Sequence, residues 1–182
     1  MINKKYIDKV ISTKAFQLVY KDISIFKDYE YKDPYQFFNF FWNEYEIFKK
    51  KYEGLYKKQI NNTYNGQIYE LIFIMLMERE GIKIFKQDEY VDDVKFVKPD
   101  ILIKNKKSLI FISLKVSGRE RWKQADWESL RFKQIYPNSK NYLVINNGEE
   151  AKNIKLKLPF LSIDDCFFSN SEELNNLFKI IC

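Results

Sequence analysis

Pro99-Asp100, Ser113-Leu114-Lys115 and Glu128 place a carboxylate, a lysine and a second carboxylate within thirty residues. These are the side chains that metal-assisted hydrolysis of a phosphodiester needs. Carboxylates hold a divalent cation, and the cation lowers the pKa of a water and neutralises charge on the scissile phosphate. A lysine polarises that water or stabilises the pentacoordinate transition state. Ser113 and Lys115 are two apart, so on a strand they point to the same face. If 100–104 and 109–115 pair as a hairpin, Asp100 at the start of one strand meets Lys115 at the end of the other. One carboxylate is a poor magnesium site, because Mg2+ is held by one or two carboxylates plus waters and phosphate.

Two residues can supply the second acid. Glu128 follows Lys115 in a Lys-x12-Glu spacing and falls on the next helix. Alone it would read as a surface carboxylate pairing with Arg131, three residues on; beside Asp100 and Lys115 it reads as a ligand. Glu70 sits in the first turn of an otherwise apolar helix, where a carboxylate needs a partner. That partner is either the metal site or a core Arg or Lys, and the sequence leaves both open.

Composition narrows the chemistry further. The chain has 182 residues, 46% of them hydrophobic, enough for one domain with a real core. Lys and Arg outnumber Asp and Glu by 31 to 25, for a net charge of +6. A pI near 9.0 suits a polyanionic partner only weakly, since a Lys-, Ile- and Asn-rich composition also has the look of AT-rich coding. An aromatic content of 18% argues against disorder. There is no histidine, which removes His general bases, His metal ligands and Ser-His or Cys-His nucleophiles; Lys, Asp and Glu remain. Cys166 and Cys182 form neither a zinc pattern nor a disulfide framework and read as free thiols. Met1-Ile-Asn-Lys-Lys has no apolar region behind it, and the longest apolar run, Leu71 to Met77, is too short to span a bilayer. A cytoplasmic protein with no membrane partner is expected.

The elements that must position these residues follow from periodicity and punctuation. Residues 1–60 read as helical, with a broad apolar stripe, partly all-round, at Phe37, Phe38, Phe40, Phe41, Trp42, Tyr45 and Phe48 and with Pro34 in a first turn. Asn61 to Gly66 reads as a break. Gln67 to Glu80 reads as a buried helix capped by Gly81. Strands are expected at 82–85, 100–104, 109–115 and 142–145, with a further one at 160–163. A helix over 119–135 stops before Pro137. Asn146-Asn147-Gly148 reads as a turn, and a last helix runs from Ser171 towards Cys182.

On the 119–135 helix Arg121 and Glu128 share a face, with Gln124 and Ala125 between them. Arginine can bond bidentately to guanine O6 and N7, and Glu can accept from cytosine N4. Arg119-Glu120-Arg121 therefore carries the residue types of a base reader, and Lys123 those of a phosphate contact.

Together, Pro99-Asp100, Ser113-Leu114-Lys115 and Glu128 resemble the PD-(D/E)XK nucleases, and within them type II restriction endonucleases whose catalytic Glu has migrated to the helix. The run Ser117-Gly118-Arg119-Glu120-Arg121-Trp122-Lys123-Gln124 is similar to the Arg-Glu-Arg-Trp-x-Gln run of the branch that cuts CCGG and CCWGG sites. The resemblance spans about residues 66–136. It implies an α/β fold, a restriction-endonuclease-like core with a mixed central sheet flanked by helices. The core would cover 66–182, with 1–60 packed on it as a helical extension in a single domain.

The resemblance implies a catalytic set of Asp100, Lys115 and Glu128, with Glu70 and Ser113 beside them and Mg2+ held by Asp100 and Glu128. Arg119, Glu120, Arg121, Lys123 and Gln124 would contact duplex DNA at a site containing G:C pairs. A homodimer on a symmetric site and a cognate methyltransferase in the cell complete the expectation. Two other readings stay open: a repair or junction-resolving nuclease on the same core, and a DNA-binding module that has lost cleavage, prompted by Ser113 standing where an acid is usual.

Overall fold

The computed structural model describes residues 4–57, 59–87, 91, 94, 97–104, 108–117 and 121–182. The expected turn at 105–107, most of the loop at 88–93, and Gly118, Arg119 and Glu120 lie outside the described residues.

Four helices form the N-terminal part: α1 (Lys4–Ile11), α2 (Lys14–Val19), α3 (Ser24–Asp28) and α4 (Pro34–Tyr56). α4 starts as its sequence dictates, with Pro34 in the first turn and the Asp33 carboxylate accepting the Gln36 N–H at 2.9 Å. α5 (Asn62–Arg79) begins earlier than its apolar run suggests. Asn61 is its cap, accepting the Thr63 N–H at 2.9 Å. Asn65-Gly66, expected as part of a break, lies inside the helix, where buried Asn65 accepts the Tyr45 hydroxyl at 2.5 Å. The C-terminus of α5 closes as expected. Gly81, at φ 72°, allows its own N–H to reach Glu78 O at 3.1 Å and the Ile82 N–H to reach Met77 O at 2.9 Å.

The described strands form a five-stranded mixed sheet: β1 (Ile84–Gln87), β2 (Ile101–Lys104), β3 (Leu109–Lys115), β4 (Lys140–Ile145) and β5 (Asp165–Phe168), in that spatial order. β1, β2 and β3 pair antiparallel, whereas β3, β4 and β5 pair parallel. A parallel step needs a crossover. Between β3 and β4 it is α6 (Arg121–Ile135); between β4 and β5 it is α7 (Gly148–Lys155) followed by a 3-10 turn at Leu158–Phe160. α8 (Glu173–Ile181) closes the chain.

Two expectations are corrected here. Residues 160–163 are not a strand: Pro159 sits in the 3-10 turn, Phe160 is 87% exposed, and the strand begins at Asp165. Asn147-Gly148 is not a bare turn but the start of α7, with Asn147 Oδ1 accepting the Glu150 N–H at 3.1 Å.

Alternation along the strands sorts the core into two sides. Ile101, Ile103, Ile110, Ile112, Leu114, Tyr142, Val144 and Phe167 face a large cluster shared with α1–α5 and α8. The opposite residues, Leu102, Phe111, Leu143, Ile145 and Cys166, face two smaller clusters. α5 is apolar all round because it lies between the N-terminal helices and the sheet. Arg79 at its end fastens α3 to it, donating to Phe26 O at 3.0 Å, to Tyr29 O at 3.1 Å and also to Lys27 O. Cys166 is buried and Cys182 exposed, and both are free. Among the described residues no helix is long and apolar enough to cross a membrane.

Candidate active site

Asp100 immediately precedes β2. The ladder sets Ile101 opposite Ile112, so one step further brings Asp100 to the level of Ser113. Asp100 Oδ2 accepts the Leu114 N–H at 2.6 Å, the Lys115 ammonium at 2.8 Å and the Ser113 hydroxyl at 3.3 Å. The hairpin expected from the sequence thus delivers the acid and the lysine into contact. Lys115 also holds the end of the sheet together, its carbonyl accepting the Asn146 N–H at 3.1 Å beyond β4.

Ser113 and Lys115 point to the side of the sheet that α6 covers. On that side α6 presents Ala125, Glu128 and Phe132, spaced three and four apart along one row. Ala125 joins the cluster around Leu143 and Ile145, and Phe132 packs on Phe111 with ring centroids 5.3 Å apart. Glu128 falls between them and is only 7% exposed. From Phe132 back to Glu128 is about 6 Å along the helix. From Phe111 forward to Ser113 is about 6.6 Å along the strand. The two elements run antiparallel, so Glu128 falls near the level of Ser113 along β3. Helical side chains tilt towards the helix N-terminus, which here leans the carboxylate towards the C-terminal end of β3, where Lys115 lies. Glu128 is thus the buried acid on the α6 row that faces the Ser113 and Lys115 side of the sheet.

Burial pushes the Glu128 carboxyl above its usual range. A hydrogen bond from Gln124 and the Lys115 ammonium oppose that rise, and the Asp100 carboxylate adds to it. The interactions of Glu128 with Lys115 and Asp100 place all three in one electrostatic unit. A consequence for stability follows. Below an ordinary carboxyl pKa of 4.5 both folded and unfolded chains carry the proton, and burial costs little. As pH rises from there through the raised folded value, the buried group must ionise and stability falls. In metal-free buffer, the stability of wild type relative to Glu128→Gln is expected to decline as pH rises from about 4.5. Urea denaturation across that range checks it, and a pH-independent difference would refute it.

The donor set decides which cation the residues fit. Among the described residues no group of three or more His, Cys, Asp or Glu converges on a point. Two carboxylates with an adjacent lysine do not suit zinc, which takes three or four protein ligands. They do suit Mg2+, which keeps several waters and uses one or two carboxylates.

Glu70 is half-buried on α5 and accepts the Tyr6 hydroxyl at 2.5 Å, which ties it to α1; the contacts described for Asp100, Lys115 and Glu128 do not include it. Arg119 and Glu120 lie outside the described residues. Arg121 and Lys123 are exposed at the start of α6. Gln124, expected on DNA, donates from Nε2 to Glu128 Oε1 at 2.8 Å. Arg131, the alternative partner of Glu128, instead donates to Gln134 at 3.2 Å.

Two contributors carry no signal in the local sequence pattern. The Leu114 N–H gives the shortest contact to Asp100, and main-chain donors leave no sequence signal. Lys157 places its ammonium 4.9 Å from the centre of the Trp122 ring, beside the start of α6, from thirty-five positions away. The four-residue spacing of Gln124 and Glu128 was visible and marks neighbours on one helix face.

No family model matches the chain, and no curated protein matches it. Among solved structures, the chain is similar to one described as "Restriction endonuclease PspGI-substrate DNA complex". The alignment covers 98% of this chain and 81% of that one, at 18% identity and a TM-score of 0.59. At that identity the likeness establishes the fold, which is restriction-endonuclease-like.

Proposed function

We propose that the protein is a Mg2+-dependent endonuclease of the restriction type, hydrolysing both strands of duplex DNA at a short site containing G:C pairs. The observation that carries this reading is the 2.8 Å contact of Lys115 with Asp100, with Glu128 buried on the helix face turned to that side of the sheet. A structural ion pair alone would not explain a second, buried carboxylate in the apolar row of α6. Burying a carboxylate there costs stability, and such buried, perturbed acids cluster at functional sites. The likeness to a nuclease solved with DNA supports the same reading.

In this reading Asp100 and Glu128 hold Mg2+. When bound, the cation supplies charge neutralisation at the phosphate and a water of lowered pKa. Lys115, oriented by Asp100, places its ammonium where negative charge develops on the phosphoryl oxygens. Ser113, Leu114 and Lys115 together fix the rotation of the Asp100 carboxylate through Oδ2. Arg119, Glu120 and Arg121 read bases and Lys123 contacts phosphate, Arg121 and Lys123 doing so from the exposed start of α6. A symmetric site cut on both strands needs two such chains, so a homodimer follows. The exposed Ile47, Leu55 and Tyr56 along α4 offer it an apolar surface. Host DNA would need a cognate methyltransferase, and the chain would work in the cytoplasm.

Incubation with unmethylated phage DNA and Mg2+, followed by sequencing of fragment ends, tests the proposal. Discrete fragments with a shared end sequence, 5′-phosphates and 3′-hydroxyls are expected. Cleavage confined to branched DNA would favour a junction-resolving nuclease. Binding to duplex DNA with no cleavage in Mg2+ or Mn2+ would favour a binding module.

A further inference from the structure

We propose that Gln124 is a positioning residue: its side-chain amide fixes the Glu128 carboxylate in the cation site and does not read a base. This rests on the cation site proposed above and reassigns a residue that the sequence placed on DNA.

Four observations carry it. Gln124 Nε2 donates to Glu128 Oε1 at 2.8 Å, and the two residues are one helical turn apart on α6. Glu128 is buried between Ala125 and Phe132, so packing limits its inner torsions. The last torsion of a glutamate is broad and roughly two-fold, so apolar walls alone leave its oxygens undirected. A polar donor must set them. The Lys115 ammonium makes its hydrogen bond to Asp100 Oδ2 at 2.8 Å, and the hydrogen bond described for Glu128 comes from Gln124.

Position on the helix points the same way. Gln124 is exposed while Glu128 is buried, so the amide bridges from the solvent edge of the row to the acid inside it. It lies in the first turn of α6, towards which the Glu128 side chain already tilts. Reading adenine bidentately takes both the oxygen and the nitrogen of a glutamine amide in one plane. The bond to Glu128 commits one of the two N–H donors and fixes where the amide plane points, so the plane is set by the acid and not by a base. Outer-shell partners of this kind orient metal-ligating carboxylates, and their loss costs about 10–100-fold in metal affinity or activity.

The test uses the full chain with Gln124→Met, which keeps the volume and removes the donor, and Asp100→Asn as reference. Mn2+ binding is followed by electron paramagnetic resonance on the protein alone, and duplex affinity by gel shift in EDTA, with no divalent cation present. For Gln124→Met the Mn2+ dissociation constant is expected to rise about 10-fold or more, with duplex affinity and melting temperature unchanged. Asp100→Asn is expected to abolish Mn2+ binding. Wild-type Mn2+ affinity in Gln124→Met, with Asp100→Asn still defective, overturns the positioning role and leaves the nuclease reading standing. Reduced duplex affinity in Gln124→Met overturns it in favour of a base contact. No Mn2+ binding by wild type, or binding unaffected by Asp100→Asn, overturns the cation site itself.

Discussion

Lys115→Ala is expected to slow duplex cleavage about 10²–10³-fold at saturating DNA, the effect of removing one preorganised group that stabilises transition-state charge. The ammonium at Asp100 is fixed by a 2.8 Å contact and is only partly exposed, so it acts in a medium of lowered dielectric, where a charge counts for more than in water. Glu128→Ala should cause a loss at least as large and, unlike Lys115→Ala, should also weaken Mn2+ binding. Single-turnover kinetics on a fragment carrying the mapped site separates chemistry from binding. Unchanged cleavage in either variant, with metal present, would sink the assignment of this cluster as the catalytic one.

The second large effect concerns the packing that puts Glu128 in place. Phe132→Ala is expected to cost about 3–5 kcal/mol in urea unfolding, the range for truncating a buried phenylalanine. Phe132 is fully buried, packs tilted against the Phe111 ring and also lies with its centroid 5.0 Å from that of Tyr136. Phe132→Leu, which keeps most of the volume, should cost well under half as much. A loss below about 1 kcal/mol for Phe132→Ala would mean that α6 is not docked on β3 as described. The Glu128 position would then lose its support.

Much of the site was legible before any fold was known, because it rests on local rules. Alternation along a strand put Ser113 and Lys115 on one face, and a short hairpin put Asp100 beside them; both hold. The place of Glu128 followed from helical spacing, and its burial had a sign in the sequence that went unread: it interrupts the row Ala125-x-x-Glu128-x-x-x-Phe132. What failed were features in which one residue type serves two purposes. Asparagine caps helices and also makes turns. Asn61 and Asn147 cap α5 and α7, whereas Asn65 is held inside a helix by a tyrosine hydroxyl twenty positions away. Phe160-Leu-Ser-Ile resembled a strand by composition, but Pro159 and the 3-10 turn before it send the chain to the surface, and pairing with β4 begins only at Asp165. The role of Gln124 turns on which of two acceptable partners its amide meets, and only the docking of α6 decides that.

The acids of this centre enter by different routes, and that has a consequence for the newly made chain. Asp100 and Lys115 meet as soon as a local hairpin closes. Glu128 joins them only when α6 has seated on the sheet and the β3-to-β4 crossover is complete. On the nuclease reading, a half-folded chain emerging near the genome carries the strand half of the centre without the helix half. On that reading the centre is complete only once α6 has seated, so cleavage would follow folding and not precede it. An acid carried on β3 itself would give no such delay.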